Sequence, residues 1–388
     1  MITDKRIASL DVLRGLALLG MFVVHFHDHS TEPGGLDDII RTIIWRLVES
    51  KAHGTFALLF GAGFAIQIRR AEARGSSFTG FYLRRLAVLA LFGLAAHAFF
   101  GFNVLLGYAV WGVPLLAIRK WSSRALLVTA LVSALSVPLF QLAATQYVSA
   151  RGGPGAVNEA KHARQAFAAN VNRAVKAAEA QSSYTVLLDA RLSHMAWFHA
   201  QPFFFMPSGT LALFIVGLLL VRHGVFDEPL AHARVLAAMV VFGVMSWLAG
   251  NWLLSRLGLD PLVFLFRDQW LTFAYVAAAL FLLARMPGLT GRLRFVGNAG
   301  RMALTNYLLQ IAVIDLLFSG YALGLGQIRP VVGPAVALTC FAAEALFSTA
   351  WLARFRFGPA EWLWRSLTYG RMQPMRADAS RPFVTELP

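Results

Sequence analysis

Long apolar runs recur along the whole sequence, and they limit the possible fold more than any other feature. About ten of them approach the roughly 20 residues that a helix needs to cross a bilayer. They cover residues 8–28, 48–68, 82–100, 102–119, 123–146, 195–221, 232–254, 268–286, 302–324 and 331–353. With 57% hydrophobic and only 14% charged residues, the chain is too apolar for a soluble domain of 388 residues. We therefore predict an all-α fold, a polytopic transmembrane helical bundle of about ten spans.

The basic residues indicate how this bundle is oriented. The net charge is +15, and most Lys and Arg residues fall in segments on the same side of the membrane as the N-terminus. The positive-inside rule then places both termini in the cytoplasm. Topology and anionic lipid headgroups explain the charge, so we expect membrane lipids as partners and no nucleic acid. The first apolar run has no small-residue cleavage site after it, so it is interpreted as a retained helix of a multi-pass inner (plasma) membrane protein.

A long polar interruption divides the predicted spans into two halves. Residues 1–146 are predicted to form an N-terminal half and residues 193–353 a C-terminal half, each with about five spans. Residues 147–192 between them are predicted to be an extracytoplasmic amphipathic loop, whose Ala-rich stretch of mixed charge favours helix. Residues 354–388 are predicted to be a cytoplasmic amphipathic tail, with a Gly-Pro break before a helix that carries Glu361 in its first turn.

Charged and histidine residues interrupt the first apolar run at helical spacing. Arg14 and His25 lie eleven positions apart, so on an ideal helix they share one face about 16 Å from each other. Asp11 and His29 fall on the same stripe. Ionisable side chains in a membrane helix usually face a polar interior and mark functional sites, so the stripe is predicted to look into the bundle. A simpler alternative is that Asp11 and Arg14, at i and i+3, neutralise each other as an ion pair.

Several motifs, in their order and spacing, resemble the YeiB family, whose C-terminal half is called domain of unknown function 418. They are Asp11-Val-Leu-Arg14-Gly15, Leu59-Phe-Gly61-Ala-Gly63-Phe, Arg84-Arg85, His97-Ala, the run from Gly297 to Gln310, and Gly358-Pro359-Ala-Glu361-Trp362-Leu-Trp-Arg365. The resemblance spans almost the whole chain. The family is grouped with transmembrane acyltransferases, including the lysosomal heparan glucosaminide acetyltransferase and acyltransferase family 3. These enzymes modify extracytoplasmic sugars with cytoplasmic acyl-CoA.

This sequence departs from the family pattern at two places. Many members have Asn where His25 stands, whereas acyltransferase family 3 has a His separated from an Arg by ten residues, the spacing of Arg14 and His25 here. The histidine at position 25 therefore favours acyl transfer. The family often has Asp-Ile-Leu before the Tyr-Ala of its fourth span, and here the corresponding run begins at Asn103. A role that rests on that acid is in doubt for this chain.

The resemblance implies a membrane acyltransferase that moves an acyl group such as acetyl from cytoplasmic acyl-CoA to an extracytoplasmic glycan or lipid-linked acceptor. Acetyl-CoA or another acyl-CoA would be the co-substrate, and no metal is expected. Histidine is the natural general base, because its reference pKa of about 6.5 is close to working pH. The predicted catalytic residues are His25, Arg14, Asp11 and His29. The choice of base stays open among His25, His27 and His29, because the related lysosomal enzyme uses a histidine just beyond its first span.

The run that leads into the ninth predicted span is a candidate site for the CoA phosphates. Backbone N–H groups at a helix N-terminus attract anions, glycines permit close approach, and arginines add charge. The predicted CoA-binding residues are Arg294, Gly297, Asn298, Gly300, Arg301, Asn306 and Arg365. Basic cytoplasmic loops occur in any polytopic protein, however, so a purely topological role is the alternative. The glycines Gly61 and Gly63 are predicted to serve tight helix packing.

Other functions are compatible with the same residues. In a transporter or channel for a small solute, the Asp, Arg and His stripe would relay protons or bind the solute. A non-catalytic scaffold is a further alternative. His25 and His29, at i and i+4, could share a metal ion, although the sequence has no His-Glu-x-x-His motif. Exposed small-residue faces would allow homo-oligomers.

Overall fold

The computed structural model describes residues 7–30, 34–73, 78–101, 103–201, 209–254, 256–257, 262 and 270–376. Within these ranges the protein is built of helices, and two isolated backbone bridges join Ser30 to Ile328 and Phe355 to Arg376. The first six residues, part of the sixth predicted span and the last twelve residues of the predicted tail lie outside the described ranges.

In chain order the helices are α1 (Ala8–His27), α2 (Leu36–Ile43), α3 (Ser50–Ala73), α4 (Phe78–Phe100), α5 (Leu105–Ile118), α6 (Ser123–Glu179), α7 (Tyr184–His199), α8 (Gly209–Arg222), α9 (Ala233–Ala249), α10 (Leu271–Arg285), α11 (Pro287–Arg292), α12 (Arg294–Arg301), α13 (Ala303–Phe318), α14 (Val332–Leu352) and α15 (Pro359–Tyr369). Two π-helical segments, Ile44–Glu49 and Gly250–Leu254, lead into α3 and extend α9.

Four described helices are long and apolar enough to cross a membrane: α1, α4, the first part of α6 (Ser123–Gly153) and α14. The pair α12 and α13 would make a fifth if its two bent parts form one span. α5, α8, α9 and α10 are shorter apolar helices of 10–17 residues. The all-helical class is confirmed for the described residues, which include several apolar candidate spans. The count of about ten spans and the cytoplasmic termini stay predictions.

The first helix is the central helix of the bundle. α1 packs against α3, α12, α13 and α14, and Leu18, Met21 and Phe22 are fully buried. In its membrane-length window 61% of the residues are buried inside the protein, against 28–33% for the other three long helices. α1 is therefore enclosed by protein, as the charged stripe predicts, rather than serving as a lipid-facing anchor.

Glycines set how closely the central helices approach. A Cβ atom at Gly300 of α12 would lie 1.9 Å from the carbonyl oxygen of Asp11, and one at Gly15 would lie 2.2 Å from that of Val296. Only hydrogen atoms fit at these two positions, so α12 crosses α1 backbone to backbone. Gly61 makes the same kind of crossing between α3 and α8, where a Cβ would lie 2.0 Å from the carbonyl oxygen of Phe214. The packing role predicted for Gly61 is confirmed.

The predicted ninth span, 302–324, begins at a sharp bend. α12 and α13 meet at Met302 with an 85° bend. The N–H groups that the break leaves open at the start of α13 donate to the carboxylate of Glu361, from Leu304 at 2.6 Å and Thr305 at 3.1 Å. The sequence does not predict this bend, because the carboxylate that stabilises it comes from a distant helix.

The predicted loop after the fifth span is helical. α6 turns at Gly153, whose φ of 74° lies in the left-handed region that favours glycine. Its last part, which carries the Ala-rich stretch, forms a helical hairpin with α7, so helix is confirmed there. The turn of this α6–α7 hairpin is joined to the end of α13, because the N–H of Gly320 donates to the carbonyl oxygen of Glu179 at 2.7 Å.

The C-terminal tail contains the predicted helix. α15 begins after Gly358 with Pro359 in its first turn and ends before Gly370, whose φ is 66°. It packs against α4 and α13, and the indole N–H of Trp364 donates to the carbonyl oxygen of Arg85 at 3.0 Å. The helix is therefore joined to the bundle.

Candidate functional site

The candidate site lies between α1 and α3, which lie side by side and run in opposite directions. A Cβ atom at Gly63 of α3 would lie 3.5 Å from the guanidinium of Arg14. Toward the other end of α1, His25 is close enough to His53 of α3 for their charges to interact. We name the end of the bundle at which α1 begins the basic end, and the end at which α1 finishes the histidine end.

Three arginines from three helices converge at the basic end. Arg85 of α4 lies close enough to Arg14 and Arg365 for their charges to repel, and its guanidinium stacks 3.5 Å from the ring centroid of Trp364. Arg14 also forms an ion pair with the buried carboxylate of Asp11, at 3.1 Å. We name Arg14, Arg85 and Arg365 the arginine cluster. Such a concentration of guanidinium groups can bind a polyanion.

The sequence predicts Arg14 and Arg365 as site residues but not Arg85. The signal that could have identified Arg85 is the Arg84-Arg85 pair inside an apolar run. Charged side chains cost free energy inside a membrane, so such a pair indicates a functional site. The ion pair between Asp11 and Arg14 that the sequence offers as the simpler alternative is present. It does not exclude a further anion, since a guanidinium has five donors.

The imidazoles of His25, His29 and His53 gather at the histidine end. The Nδ1–H of His29 donates to the carbonyl oxygen of His25 at 3.1 Å, and the His29 ring stacks on Phe318 with centroids 4.4 Å apart. The Nδ1–H of His53 donates to the carbonyl oxygen of Glu49 at 3.0 Å. A carbonyl can only accept, so in the neutral form both rings carry the lone pair on Nε2. The Nδ1 atoms of His25 and His27 are buried and have no hydrogen-bond partner among the described residues.

Aromatic rings connect the histidine end to the middle of α3. The ring of Tyr307 lies 6.1 Å from that of His25 and 6.5 Å from that of Phe56. Tyr108 continues the stripe, at 6.1 Å from Phe56 and 5.4 Å from Phe60. His53, Phe56, Phe60 and Gly63 have the spacing of one helix face. Phe56 and Phe60 could not be recognised from the sequence as site residues, because aromatic residues at helical spacing are ordinary core positions.

The seven residues predicted to bind CoA are placed in four different surroundings. Arg294, Asn298 and Arg301 line a cavity of about 450 Å³ together with Arg292, Phe295, Thr349, Leu352 and Ala353. Gly297 and Gly300 face α1, where the sequence expected them to face a phosphate. Asn306 bonds to α14, and Arg365 belongs to the arginine cluster.

A buried polar seam joins α12 and α13 to α14. Asn298 donates to Thr349 at 3.2 Å, and Asn306 donates to Ser348 at 3.0 Å. Deeper in the bundle, Gln310 donates to the carboxylate of Glu344 at 2.9 Å. These side chains hold helices together, which is a usual role of polar groups in membrane helices.

A second buried polar network fastens the α6–α7 hairpin at the histidine end. Arg191 of α7 forms an ion pair with Asp315 of α13, and it also donates to the carbonyl oxygen of Phe99 at 2.6 Å. Ser319 donates to Asp315 at 2.7 Å. Sequence reasoning missed this network, because Arg191 and Asp315 are 124 positions apart.

Burial shifts the pKa of several ionisable groups that lie outside the candidate spans. Burial raises the pKa of Glu179 and lowers the pKa of His194, which His199 lowers further. Burial also raises the pKa of Glu361, while hydrogen bonds from Thr305 and Leu304 oppose that shift. Within the described ranges, no three His, Cys, Asp or Glu side chains are arranged to hold a metal ion.

Comparison with known proteins places this chain among relatives of similar length. It is 30% identical to "Uncharacterized protein YxaH" of Bacillus subtilis (strain 168) over 398 aligned positions, which cover 96% of this chain and 97% of the relative. It is 29% identical to "Uncharacterized 39.9 kDa protein in amylase 3'region" of Bacillus acidopullulyticus, with 96% of each chain covered. A segment of 87 residues, 22% of each chain, is 44% identical to "Uncharacterized protein YeiB" of Escherichia coli (strain K12). Residues 220–371 match the family profile described as "Protein of unknown function (DUF418)".

The chain belongs to the YeiB family. Residues 6–151 of this YeiB-family protein also match the profile described as "Heparan-alpha-glucosaminide N-acetyltransferase, catalytic". That region contains α1, α3 and Arg85, whereas Tyr307 and Arg365 come from the DUF418 region. The candidate site of this YeiB-family chain is therefore assembled from both matched regions. No solved structure matches the chain.

Proposed function

We propose that this YeiB-family protein is a membrane acyltransferase that moves an acyl group, such as acetyl, from cytoplasmic acyl-CoA to a hydroxyl or amine of an extracytoplasmic glycan or lipid-linked acceptor. One observation carries the proposal: the arginine cluster lies at one end of the antiparallel pair α1 and α3, and imidazoles lie at the other end. The resemblance of residues 6–151 to an acetyltransferase catalytic region supports the same reaction class.

The arginine cluster would bind the phosphates of CoA. Guanidinium groups bind phosphate oxygens in pairs, and stacking on Trp364 holds that of Arg85 in a fixed orientation. Arg14 and His25 are about 16 Å apart along an ideal helix. The extended pantetheine arm would follow the stripe of Gly63, Phe60 and Phe56 across this distance. Its thioester would then reach the imidazoles.

The reaction needs a base, and His29 is the best-supported one. Its Nδ1–H is committed to the carbonyl oxygen of His25, so Nε2 can accept the proton of the acceptor hydroxyl or amine. The acceptor oxygen or nitrogen forms a bond to the thioester carbon, and the C–S bond breaks. The proton is then delivered to the CoA thiolate, which leaves as the thiol. His25, with its buried Nδ1, is the second candidate for the proton transfers.

Purified protein in lipid nanodiscs provides the test. Acetyl-CoA should raise the melting temperature of the wild type, since a ligand that binds only the folded state stabilises it. Arg365→Gln should weaken this stabilisation, whereas the exposed Arg124→Gln at the start of α6 should retain it. His29→Ala should retain acetyl-CoA binding but lose release of the CoA thiol. A wild type that neither binds acetyl-CoA nor releases CoA would overturn the proposal.

The transporter alternative makes a different prediction for the same protein. Ionisable groups inside the bundle, such as the Arg191–Asp315 pair, are also typical of proton-coupled carriers. A carrier reconstituted in liposomes would show solute-dependent proton flux without consuming acetyl-CoA. Solute-dependent flux in the wild type that is lost in His29→Ala, with no acetyl-CoA turnover, would favour transport over acyl transfer.

A further inference from the structure

The cavity between α12 and α14 is separate from the arginine cluster. Arg294, Asn298 and Arg301 follow one another at i, i+4 and i+7, so they share a single face of α12. Gly297 and Gly300 form another face, which packs against α1 beside Val12 and Asp11. The face of α12 that lines the cavity is therefore different from the face that packs on α1, and no residue of the arginine cluster lines the cavity.

The chemistry of the cavity suits an anion. Arg292, Arg294 and Arg301 line it, and no lining residue is acidic. Asn298 is fixed by its hydrogen bond to Thr349, also in the lining. Each guanidinium has five donors in a planar fork, so one existing contact leaves others for a ligand. The volume of about 450 Å³ is within the usual range of small-ligand sites.

Apolar surface next to the cavity indicates where this anion comes from. Phe295 in the lining is 44% exposed, and Met286, just before α11, is 52% exposed. Leu352 and Ala353 supply an apolar wall at the end of α14. A soluble phosphate would not need this surface, whereas a headgroup whose acyl chains continue into the bilayer would cover it. Basic pockets between the ends of membrane helices are typical sites for anionic headgroups.

We propose that the cavity binds the phosphate of an anionic phospholipid and thereby stabilises α12 against α1. The coupling follows from the packing, because α12 touches the backbone of α1 at Asp11 and Gly15. Binding between α12 and α14 therefore restrains the element that borders Arg14. The lipid site goes beyond the proposed acyl transfer and does not depend on it.

The experiment measures stabilisation of the full chain by defined lipids in neutral detergent. Phosphatidylglycerol should raise the melting temperature with a saturable dependence on its concentration, and phosphatidylcholine should have a much smaller effect. In the exposed-residue variant Arg294→Gln, and in Arg301→Gln, the half-saturating concentration should increase about fivefold each. The matched control Arg124→Gln should respond as the wild type does. Circular dichroism confirms that each variant retains its helix content.

Four results would overturn the proposal. Phosphatidylcholine could stabilise as well as phosphatidylglycerol, or Arg294→Gln could respond to phosphatidylglycerol as the wild type does. Inorganic phosphate could produce the same saturable stabilisation, which would identify a soluble anion as the ligand. Finally, Arg294→Gln could lose stabilisation by acetyl-CoA while Arg365→Gln keeps it, which would assign the cavity to CoA. Because acetyl-CoA turnover is measured separately, failure of the lipid site is distinguishable from failure of the acyltransferase proposal.

Discussion

Thr305 and Glu361 cap each other's helices. The Glu361 carboxylate accepts the N–H groups of Leu304 and Thr305 at the start of α13, at 2.6 and 3.1 Å. The Thr305 hydroxyl accepts the N–H of Ala360 at the start of α15, at 3.0 Å. An anion is favoured at a helix N-terminus, and at α13 the protein's own carboxylate fills that position. The bend at Met302 and the C-terminal helix therefore stabilise each other.

Removing the Glu361 side chain should destabilise the fold. Glu361→Ala leaves two backbone donors at the start of α13 without their acceptor, at a cost of about 1–3 kcal/mol. Glu361→Gln retains an acceptor oxygen, so it should lose less. Titration with sodium dodecyl sulfate in mixed micelles measures the free energy of unfolding, and the exposed Glu72→Ala is the control. If the Ala variant were as stable as Glu72→Ala, the capping argument would fail.

The contact between α12 and α1 should not accept a methyl group. Gly300→Ala places a Cβ atom 1.9 Å from the carbonyl oxygen of Asp11, so the helices must separate, with an expected loss of about 1–3 kcal/mol or more. At Gly291 a Cβ would meet nothing within 4 Å, so Gly291→Ala is the matched control. The same detergent titration compares the two variants. Equal stability of both would mean that the crossing is looser than the structure has it.

The sequence predicts features that depend on neighbours along the chain. The first span was expected at 8–28 and is α1, Ala8–His27, because apolar character and the absence of proline are local properties. The Asp11–Arg14 pair follows from i, i+3 spacing. The helix after Gly358 follows from a proline in its first turn and an acid close behind it.

Features that depend on tertiary contacts could not be predicted in the same way. The bend at Met302 is stabilised by Glu361, and the position of Arg85 beside Arg365 depends on how α15 docks. Gly300 shows why. A glycine allows close approach of either a phosphate or a neighbouring helix, and only the packing of α12 on α1 shows that a helix approaches here. The sequence grouped seven CoA-binding candidates because they are near in the chain or carry charge, whereas the fold distributes them over several helix faces.

The buried ion pair between Arg191 and Asp315 should be sensitive to loss of one partner. Asp315→Asn leaves a buried guanidinium without its counter-charge, which should cost about 3–5 kcal/mol. The double variant Arg191→Met with Asp315→Leu should lose less than Asp315→Asn, because no charge stays buried. The exposed pair Arg69–Asp227 is the control, and Asp227→Asn should cost less than about 1 kcal/mol. If the double variant were less stable than Asp315→Asn, the interactions of the ion pair would outweigh the free-energy cost of removing both charges from water.

The docking of α7 on α4 should weaken in acid. The Nδ1 of His194 lies 3.5 Å from the Nε2 of His97, so these rings can share a proton only while at least one is neutral. Burial lowers the pKa of His194 from its ordinary value of 6.5. When folding lowers the pKa of a histidine, the stability it contributes is present above the pKa of the unfolded state. That stability is lost as the pH falls through the pKa of the folded state.

The melting temperature should therefore decrease between about pH 7.5 and about pH 5. In His194→Gln, whose side chain cannot be protonated, the decrease should be smaller. The exposed His162→Gln is the control and should follow the wild type; if His194→Gln also follows the wild type, protonation of other groups determines the acid response.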